Sequence, residues 1–399
     1  MKVLLVGSGG REHALAWKLS RSPGLEELHA APGNPGIAAL GHCHPVRAED
    51  GEGLLGLAGA LDADLVVVGP EAPLVAGVAD ELRHLGVAVF GPSAAAAMIE
   101  GSKSFAKDVM HAADVPAART LSVARPPCVI KADGLAAGKG VFVCRTQDEL
   151  DAALPAASAF GDSIVIEELL EGEEVSVFAV CDGTRAVALP AVQDFKRIGE
   201  GDEGPNTGGM GSYSPVGGDV ESLVAGVHQP IVDELAARGT PFVGLLFAGV
   251  MLTDEGPTVL EFNCRFGDPE TQSLLPRLET DLLELLAAAA GGDLSGAAVS
   301  VEDNAAVTVV LAAGGYPEAG DIGTPIAGIA DAEASGALVF QAGTARSGDR
   351  IVTNGGRILN VTAIADSVAA ARDRAYEACE LISFPGMRYR RDIATLAHV

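Results

Sequence analysis

Glu261, Asn263 and Arg265 stand two residues apart from one another in the run Leu260-Glu261-Phe262-Asn263-Cys264-Arg265-Phe266-Gly267-Asp268-Pro269-Glu270-Thr271. On a strand, successive side chains alternate between faces, so this spacing sets a carboxylate and an amide oxygen on one face with a guanidinium just beyond them. Hard oxygen donors of this kind suit a magnesium ion bridging phosphate oxygens. The guanidinium can offset charge that develops on a transferred phosphoryl group. Without a cation, buried carboxylate and amide side chains here would need other polar partners.

Two glycine-rich segments could meet the phosphates. In Val129-Ile130-Lys131-Ala132-Asp133-Gly134-Leu135-Ala136-Ala137-Gly138-Lys139-Gly140-Val141, a strand lysine precedes a loop with a second lysine, and a further strand follows. Two ammonium groups and bare backbone amides across a hairpin suit a triphosphate. The spacing is not that of a Walker A loop, since no Ser or Thr follows the second lysine. The other segment, Gly7-Ser8-Gly9-Gly10-Arg11-Glu12, lies where a first strand turns into a helix, with its backbone amides free to face an anion. Glu12 replaces the third glycine of a dinucleotide fingerprint, and no acid ends the second strand, so a smaller phosphate ligand helped by Arg11 suits it better. A tight turn without a ligand is the plainer alternative. The acidic turn in Ile164 to Ser176 could offer backbone groups to an adenine edge and a carboxylate to ribose hydroxyls, although such runs are more often solvated turns.

The elements that must carry these residues follow from periodicity. Residues 2–6, 28–30, 65–69 and 87–90 are short apolar strands, with helices at 12–20 and 76–85, a pattern that predicts a doubly wound parallel sheet. Short strands at 128–131, 141–144 and 163–167 around a helix at 147–153 predict a small α+β lid. Strands near 174–181, 186–191, 244–252 and 258–263, with helices at 103–113, 221–237 and 276–290, predict a mixed core. The last hundred residues predict strands at 307–312, 338–342 and 358–362 and one helix at 367–382.

With 399 residues, 48% of them apolar, the chain has material for two to four domains. A formal charge of −27 argues against nucleic-acid or anionic-membrane partners, so phosphate groups must be met by local basic sites. Only seven lysines occur, which makes those in glycine-rich or strand contexts informative. The six cysteines form no C-x-x-C pair and have mostly apolar flanks, pointing to a reducing cytoplasm. No leader segment or run of membrane-spanning length is expected.

Taken together, these segments resemble the ATP-grasp superfamily and, within it, the phosphoribosylamine-glycine ligase (glycinamide ribonucleotide synthetase) family. The resemblance runs through Gly9-Gly10-Arg11-Glu12-His13-Ala14, Ala31-Pro32-Gly33-Asn34 and Val68-Gly69-Pro70-Glu71-Ala72-Pro73-Leu74. It continues through Glu100-Gly101-Ser102-Lys103, Ile130 to Val141, Gly204 to Pro215, Glu261 to Gln272, Ala312 to Pro317 and Thr353 to Arg357. It implies an α/β and α+β multidomain chain: a Rossmann-like substrate-phosphate domain over 1–102 and an ATP-grasp domain over 103–304, its lid at about 119–186. A small β-rich C-terminal domain covers 305–399.

The resemblance also implies roles. Lys103 and Lys131 would contact ATP phosphates under Gly138, Lys139 and Gly140, while Glu167, Leu169 and Glu174 would hold the nucleoside. Glu261 and Asn263 would bind Mg2+ or Mn2+, two ions being possible. Arg265 and Asp268 would serve the chemistry. Gly9, Gly10 and Arg11 would hold the 5-phosphate of phosphoribosylamine, and Asn206, Thr207, Gly208 and Gly209 would shape the acceptor site. The implied partners are ATP, glycine and 5-phosphoribosylamine, acting on a monomer or homodimer through a glycyl phosphate intermediate. A ligase using another carboxylate, an ATP-grasp carboxylase and a nucleotide-binding sensor without turnover are the rivals. The chain departs from the family in a short connection between Val115-Pro116 and Val129, and in Phe195, where histidine or tyrosine is more usual.

Overall fold

The computed structural model describes residues 1–135, 140–161 and 163–395. Its first sheet has five parallel strands in the order His42–Cys43, Glu27–Pro32, Lys2–Gly7, Leu65–Val68, Ala88–Phe90. Alternate side chains of the apolar runs enter two different cores. Leu4, Val6, Val66 and Val68 pack with Leu54 and Ala58 of the helix Gly51–Leu61. Val3, Leu5, Leu65 and Val67 pack with Leu15 and Leu19 of Gly10–Leu19 and with Leu282 and Leu286 of Leu282–Ala290. Helices on both faces explain why the strands lack polar alternation. The expected helix at 76–85 is Val78–His84, and a short helix that was not expected, Glu71–Val75, precedes it, the two separated at Gly77 with φ +92°.

The second sheet has eight strands, in the order Gly256–Asn263, Val243–Thr253, Glu173–Asp182, Ala186–Asp194, Gly211–Ser214, Ala305–Ala312, Arg357–Ala365, Leu338–Gln341. It runs without a break across residue 304, since Gly211 to Ser214 pair antiparallel with Val309 to Ala306. The strand Ala305–Ala312 is apolar or small on both faces apart from Thr308, and is buried throughout, so it needs neighbours on both edges and cover on both sides. A separate three-stranded sheet, Asp321–Pro325, Arg350–Gly355 and Thr344–Ser347, lies in the C-terminal part.

The small unit is a sheet in the order Val141–Cys144, Cys128–Ala132, Ile164–Glu168, closed by the helix Gln147–Ser158 over Cys128, Ile130, Cys144, Leu150 and Ala153. Thr146 caps that helix by accepting from the Glu149 amide, and Glu149 returns the bond to the Thr146 amide. The short connection before Val129 touches both sheets through single bridges. Ala117 pairs with Val259 of the large sheet and Thr120 with Glu167 of the small one. The strand Glu173–Asp182, part of the span expected as lid, pairs with Val243–Thr253 and so belongs to the large sheet.

Two long helices expected from periodicity are interrupted. Within 221–237 a wide turn, Val224–His228, precedes Pro230, which has no amide to donate to the preceding turn. Within 276–290 the chain leaves the helix after Leu275–Arg277 and restarts at Leu282, where Asp281 accepts from the Leu283 and Glu284 amides.

Candidate active site

The edges of the large and small sheets and the first domain enclose a cavity of about 300 Å3. Four of the seven lysines, Lys103, Lys107, Lys131 and Lys196, line it with Arg11, Arg265 and Arg357. Facing them are Glu71, Glu100, Glu167, Asp194, Glu261, Asp268 and Glu270. Lysine, scarce in the rest of this acidic chain, is thus concentrated at one place, where walls of low dielectric strengthen its field.

Lys103 and Lys107 sit one turn apart on the helix Lys103–Ala112, whose N-cap Ser102 accepts from the Phe105 amide at 3.2 Å. Asp133 binds the same helix end, accepting from the Lys103 amide at 2.6 Å and the Ser104 hydroxyl at 2.7 Å, while the Lys103 ammonium donates to Gly134 O at 2.9 Å. The glycine-rich segment is therefore tied to this helix at its start. Lys131 is in the middle strand of the small sheet and Glu167 is in its neighbour; Val129 faces Glu167 in register, which makes Lys131 and Glu167 a diagonal pair on one face. The Glu167 oxygens accept from Lys107 at 2.6 Å and Lys131 at 2.7 Å, and Lys131 also donates to Leu260 O at 2.8 Å. Burial draws the Lys107 ammonium below its ordinary range despite Glu167.

Glu261 and Asn263 lie on one face of the strand Gly256–Asn263, as their spacing predicts, and both reach the cavity. Burial pushes the Glu261 carboxyl up, but Lys131, Lys196, Lys103 and Arg265 outweigh it and hold the group ionised below its usual range. Asn263 Oδ1 accepts from Arg265 at 3.1 Å, and its buried Nδ2 has no protein partner. An ionised carboxylate beside an amide oxygen is a donor pair that fits a magnesium-like cation, which commonly takes one or two protein ligands and completes its shell with phosphates and water. Among the described residues no group of three or more His, Cys, Asp or Glu side chains could hold a metal ion by itself.

Arg265 is held in place at the cavity wall, donating to Glu71 at 3.3 Å, Glu100 at 3.2 Å and Phe266 O at 3.2 Å besides Asn263. Burial would lower its proton affinity, but Glu100, Glu71 and Glu270 raise it, so the charge is permanent. Glu100 is shifted upward by burial beyond what Arg265 restores. Glu270 is pushed up to about 7, by burial first and then by Asp194, against the pull of Lys196 and Arg265.

Asp268 receives the Arg357 guanidinium at 3.0 Å and the Gln272 amide at 2.7 Å. The Gly208 amide donates to the Tyr316 hydroxyl at 2.9 Å, and Gly208 O accepts from Arg357. Thr207 donates twice to Lys196 O, from its amide and its hydroxyl, at 2.8 Å each. Gly209 takes φ +106°, and a Cβ there would lie 2.4 Å from Pro269 Cδ, so only glycine lets the loop pass this close.

Of the residues singled out by sequence, Lys103, Lys131, Gly140, Glu167, Arg11, Thr207, Gly208, Glu261, Asn263, Arg265 and Asp268 meet at this cavity. Gly138 and Lys139 lie outside the described residues. Leu169, Glu174, Gly9, Gly10, Asn206 and Gly209 are not on its wall. Glu174 acts at one remove, accepting from Lys196 at 2.7 Å, and Asn206 donates to Val141 O at 3.4 Å. Gly9 donates to Glu12 at 2.6 Å, and a Cβ on Gly10 would fall 2.2 Å from the Asn360 amide, so packing alone accounts for Gly10. Arg11 donates to Glu12 at 2.5 Å and to Phe266 O at 3.1 Å. His13 accepts from the Gln341 amide at 2.8 Å and is a packing residue. Sequence reasoning passed over Glu71, Glu100, Lys107, Asp194, Lys196, Glu270 and Arg357 as site residues. The scarcity of lysine could have flagged Lys107 and Lys196.

Family models match nearly the whole chain: the phosphoribosylglycinamide synthetase N domain over residues 1–100, its ATP-grasp (A) domain over 101–271 and its C domain over 306–396. A phosphoribosylamine-glycine ligase of Streptomyces coelicolor is 52% identical, the match covering 100% of this chain and 99% of that protein. The crystal structure of the phosphoribosylamine-glycine ligase of Thermotoga maritima is 34% identical with a TM-score of 0.86, over 99% of this chain and 100% of that one. The biotin carboxylase domain of a 2-oxoglutarate carboxylase from Hydrogenobacter thermophilus, 16% identical with a TM-score of 0.70 over 97% of this chain and 91% of that one, shares the fold. With three consecutive domain matches and full-length relatives at this identity, the chain belongs to the phosphoribosylglycinamide synthetase family.

Proposed function

We infer that the chain is an ATP-dependent ligase that joins glycine to 5-phosphoribosylamine, giving glycinamide ribonucleotide, ADP and phosphate in de novo purine biosynthesis. The observation that carries this reading is a full-length family match whose motif residues Lys103, Lys131, Glu261, Asn263, Arg265 and Asp268 converge on one cavity. Turnover rather than sensing is favoured by the permanent charge of Arg265 beside the ionised Glu261, an arrangement suited to phosphoryl transfer.

In the first step a glycine carboxylate oxygen attacks the γ-phosphorus of ATP, the bond to ADP breaks, and glycyl phosphate forms. In the second the amine of phosphoribosylamine attacks the activated carbonyl, the carbon-nitrogen bond forms, and phosphate leaves with the carbonyl carbon-oxygen bond broken. The protein contributes position and charge. Lys103 and Lys131 face the nucleotide phosphates, and Arg265 meets the transferred group. Thr207, Gly208 and Asp268 shape the acceptor side, with Arg11 on the first-domain wall. Glu270, on the cavity wall and with its carboxyl raised above the usual range by burial and Asp194, is suited to accept the proton that the attacking amine loses. Glu261 and Asn263 would hold Mg2+ or Mn2+, which supplies charge neutralisation at the phosphoryl oxygens. The small sheet, which carries Lys131 and Glu167 to the cavity, is placed to keep water from the acyl phosphate. The substrates are small molecules. No helix among the described residues is long and apolar enough to cross a membrane, and five buried and one exposed free thiol accord with a cytoplasmic setting.

The test is ADP release in the presence of freshly generated phosphoribosylamine, with and without glycine. Turnover should require both. Turnover supported by bicarbonate in place of glycine would move the chain to the carboxylases.

A further inference from the structure

Arg390, in the C-terminal segment, has only 2% of its side chain exposed, and a guanidinium so enclosed must be fully engaged to be tolerated. Its Nε and Nη2 form a two-pronged pair with Asp392, each at 2.8 Å, which fixes the plane of the group. What that plane meets is one short stretch of chain. Nη1 donates to Arg197 O at 3.0 Å, and the guanidinium carbon lies 5.2 Å from the centre of the Phe195 ring. Asp202, further along the hairpin formed by Arg197–Gly199 and Glu203–Asn206, accepts from the same Nη1 at 3.4 Å. The segment adds two backbone contacts: the Gly201 amide donates to Asp392 at 2.8 Å, and the Arg391 amide to Glu200 at 3.2 Å.

Phe195 and Arg197 are the chain neighbours on either side of Lys196. The Lys196 ammonium reaches the cavity, donating to Glu174 and Asp194 at 2.7 Å each. Its carbonyl receives both bonds from Thr207, and thereby fixes the acceptor loop. We propose that Arg390 is a positioning residue that holds Lys196 and the Thr207 loop in register with the cavity by gripping the backbone and ring on both sides of Lys196. Phe195 has its place here: an aromatic face under the guanidinium, with the Tyr213 ring centre 6.3 Å from its own. The C-terminal segment thus acts on the cavity without lining it.

This inference rests on the cavity being the ligase active centre, and two measurements separate the two ideas. In Arg390→Met and the milder Arg390→Lys, which keeps the charge but loses the fork, hydrogen exchange at the Thr207 amide should quicken by about tenfold or more in the free protein. In the glycine- and phosphoribosylamine-dependent assay, kcat should fall by about tenfold with the KM for ATP moved less than about twofold. In a Lys196→Met background the same Arg390 change should cost clearly less than in the wild type, because the part of its effect that runs through the Lys196 ammonium is already lost, while the part that runs through the Lys196 carbonyl and Thr207 remains. Unchanged Thr207 exchange, or a loss from Arg390→Met that multiplies fully with that of Lys196→Met, would overturn the proposal. If Arg390→Met does not fold by circular dichroism, Arg390→Lys decides on the same readouts. If the wild-type protein shows no glycine-dependent turnover, the ligase reading fails, and the Thr207 amide still decides whether Arg390 positions the loop.

Discussion

Arg357 and Asp268 are 89 residues apart in sequence, and their side chains meet at 3.0 Å at the rim of the cavity. The same guanidinium holds the main-chain oxygens of Asp268, at 2.6 Å, and of Gly208. One C-terminal side chain therefore clamps two loops of the catalytic domain together, with its donors fixed in a planar fork that a single ammonium nitrogen on a flexible stem does not reproduce.

Arg357→Lys should accordingly lower kcat/KM for phosphoribosylamine by about tenfold to a hundredfold, near 2 kcal/mol, while the KM for ATP stays close to wild type. Steady-state kinetics with each substrate varied in turn checks it. An equal loss for all three substrates would show that the clamp does not belong to the acceptor side.

Glu261→Gln keeps the shape of the side chain and removes its charge. Binding of Mn2+, followed by electron paramagnetic resonance in the presence of ADP, should weaken by about tenfold or more, with turnover falling about a hundredfold. Mn2+ affinity equal to the wild type would separate Glu261 from the metal.

Glu167 neutralises two ammonium groups, and its own side chain is 3% exposed, as is 6% of that of Lys131. Glu167→Ala leaves both lysines without their carboxylate, a change that costs about 3 kcal/mol when a buried pair is broken. Urea unfolding should show this loss. ATP, whose phosphates can replace the missing charge, should raise the unfolding midpoint of the variant more than that of the wild type.

His13 and His228 are both lowered to about 4 by burial. In the unfolded chain they take up protons near their ordinary 6.5, so between about 6.5 and 4 the unfolded state binds more protons than the folded one. Stability is thus complete above about pH 6.5 and declines as pH falls towards 4, by up to about 3 kcal/mol for each residue. Urea midpoints measured from pH 7 to pH 4.5 should fall steadily, and His13→Gln should flatten the curve. An identical slope in the variant would remove His13 from this account.

The chemistry on single strands and turns was legible because it depends on local geometry. Glu261 and Asn263 share a face by the alternation of an extended chain, and Lys131 stands at the end of a strand that enters a glycine-rich turn. The parallel first sheet followed from apolar runs with no polar face. Helix ends at Pro230 and Asp281 were less legible, since each interruption is made by one residue inside an apolar pattern that otherwise continues.

By itself, the sequence determined which residues were candidates for a metal donor pair and for meeting phosphates and, through its ordered motifs, the family. The tertiary structure alone decided which of these residues meet. Glu71 and Glu100 reach Arg265 from the first domain and its trailing helix, and Arg357 reaches Asp268 from beyond residue 304. Arg390 reaches the flanks of Lys196 from the end of the chain. Spacing within a strand or helix fixes only neighbours a few residues apart. Contacts spanning 89 to 195 residues are set by how the sheets pack, which no local pattern records.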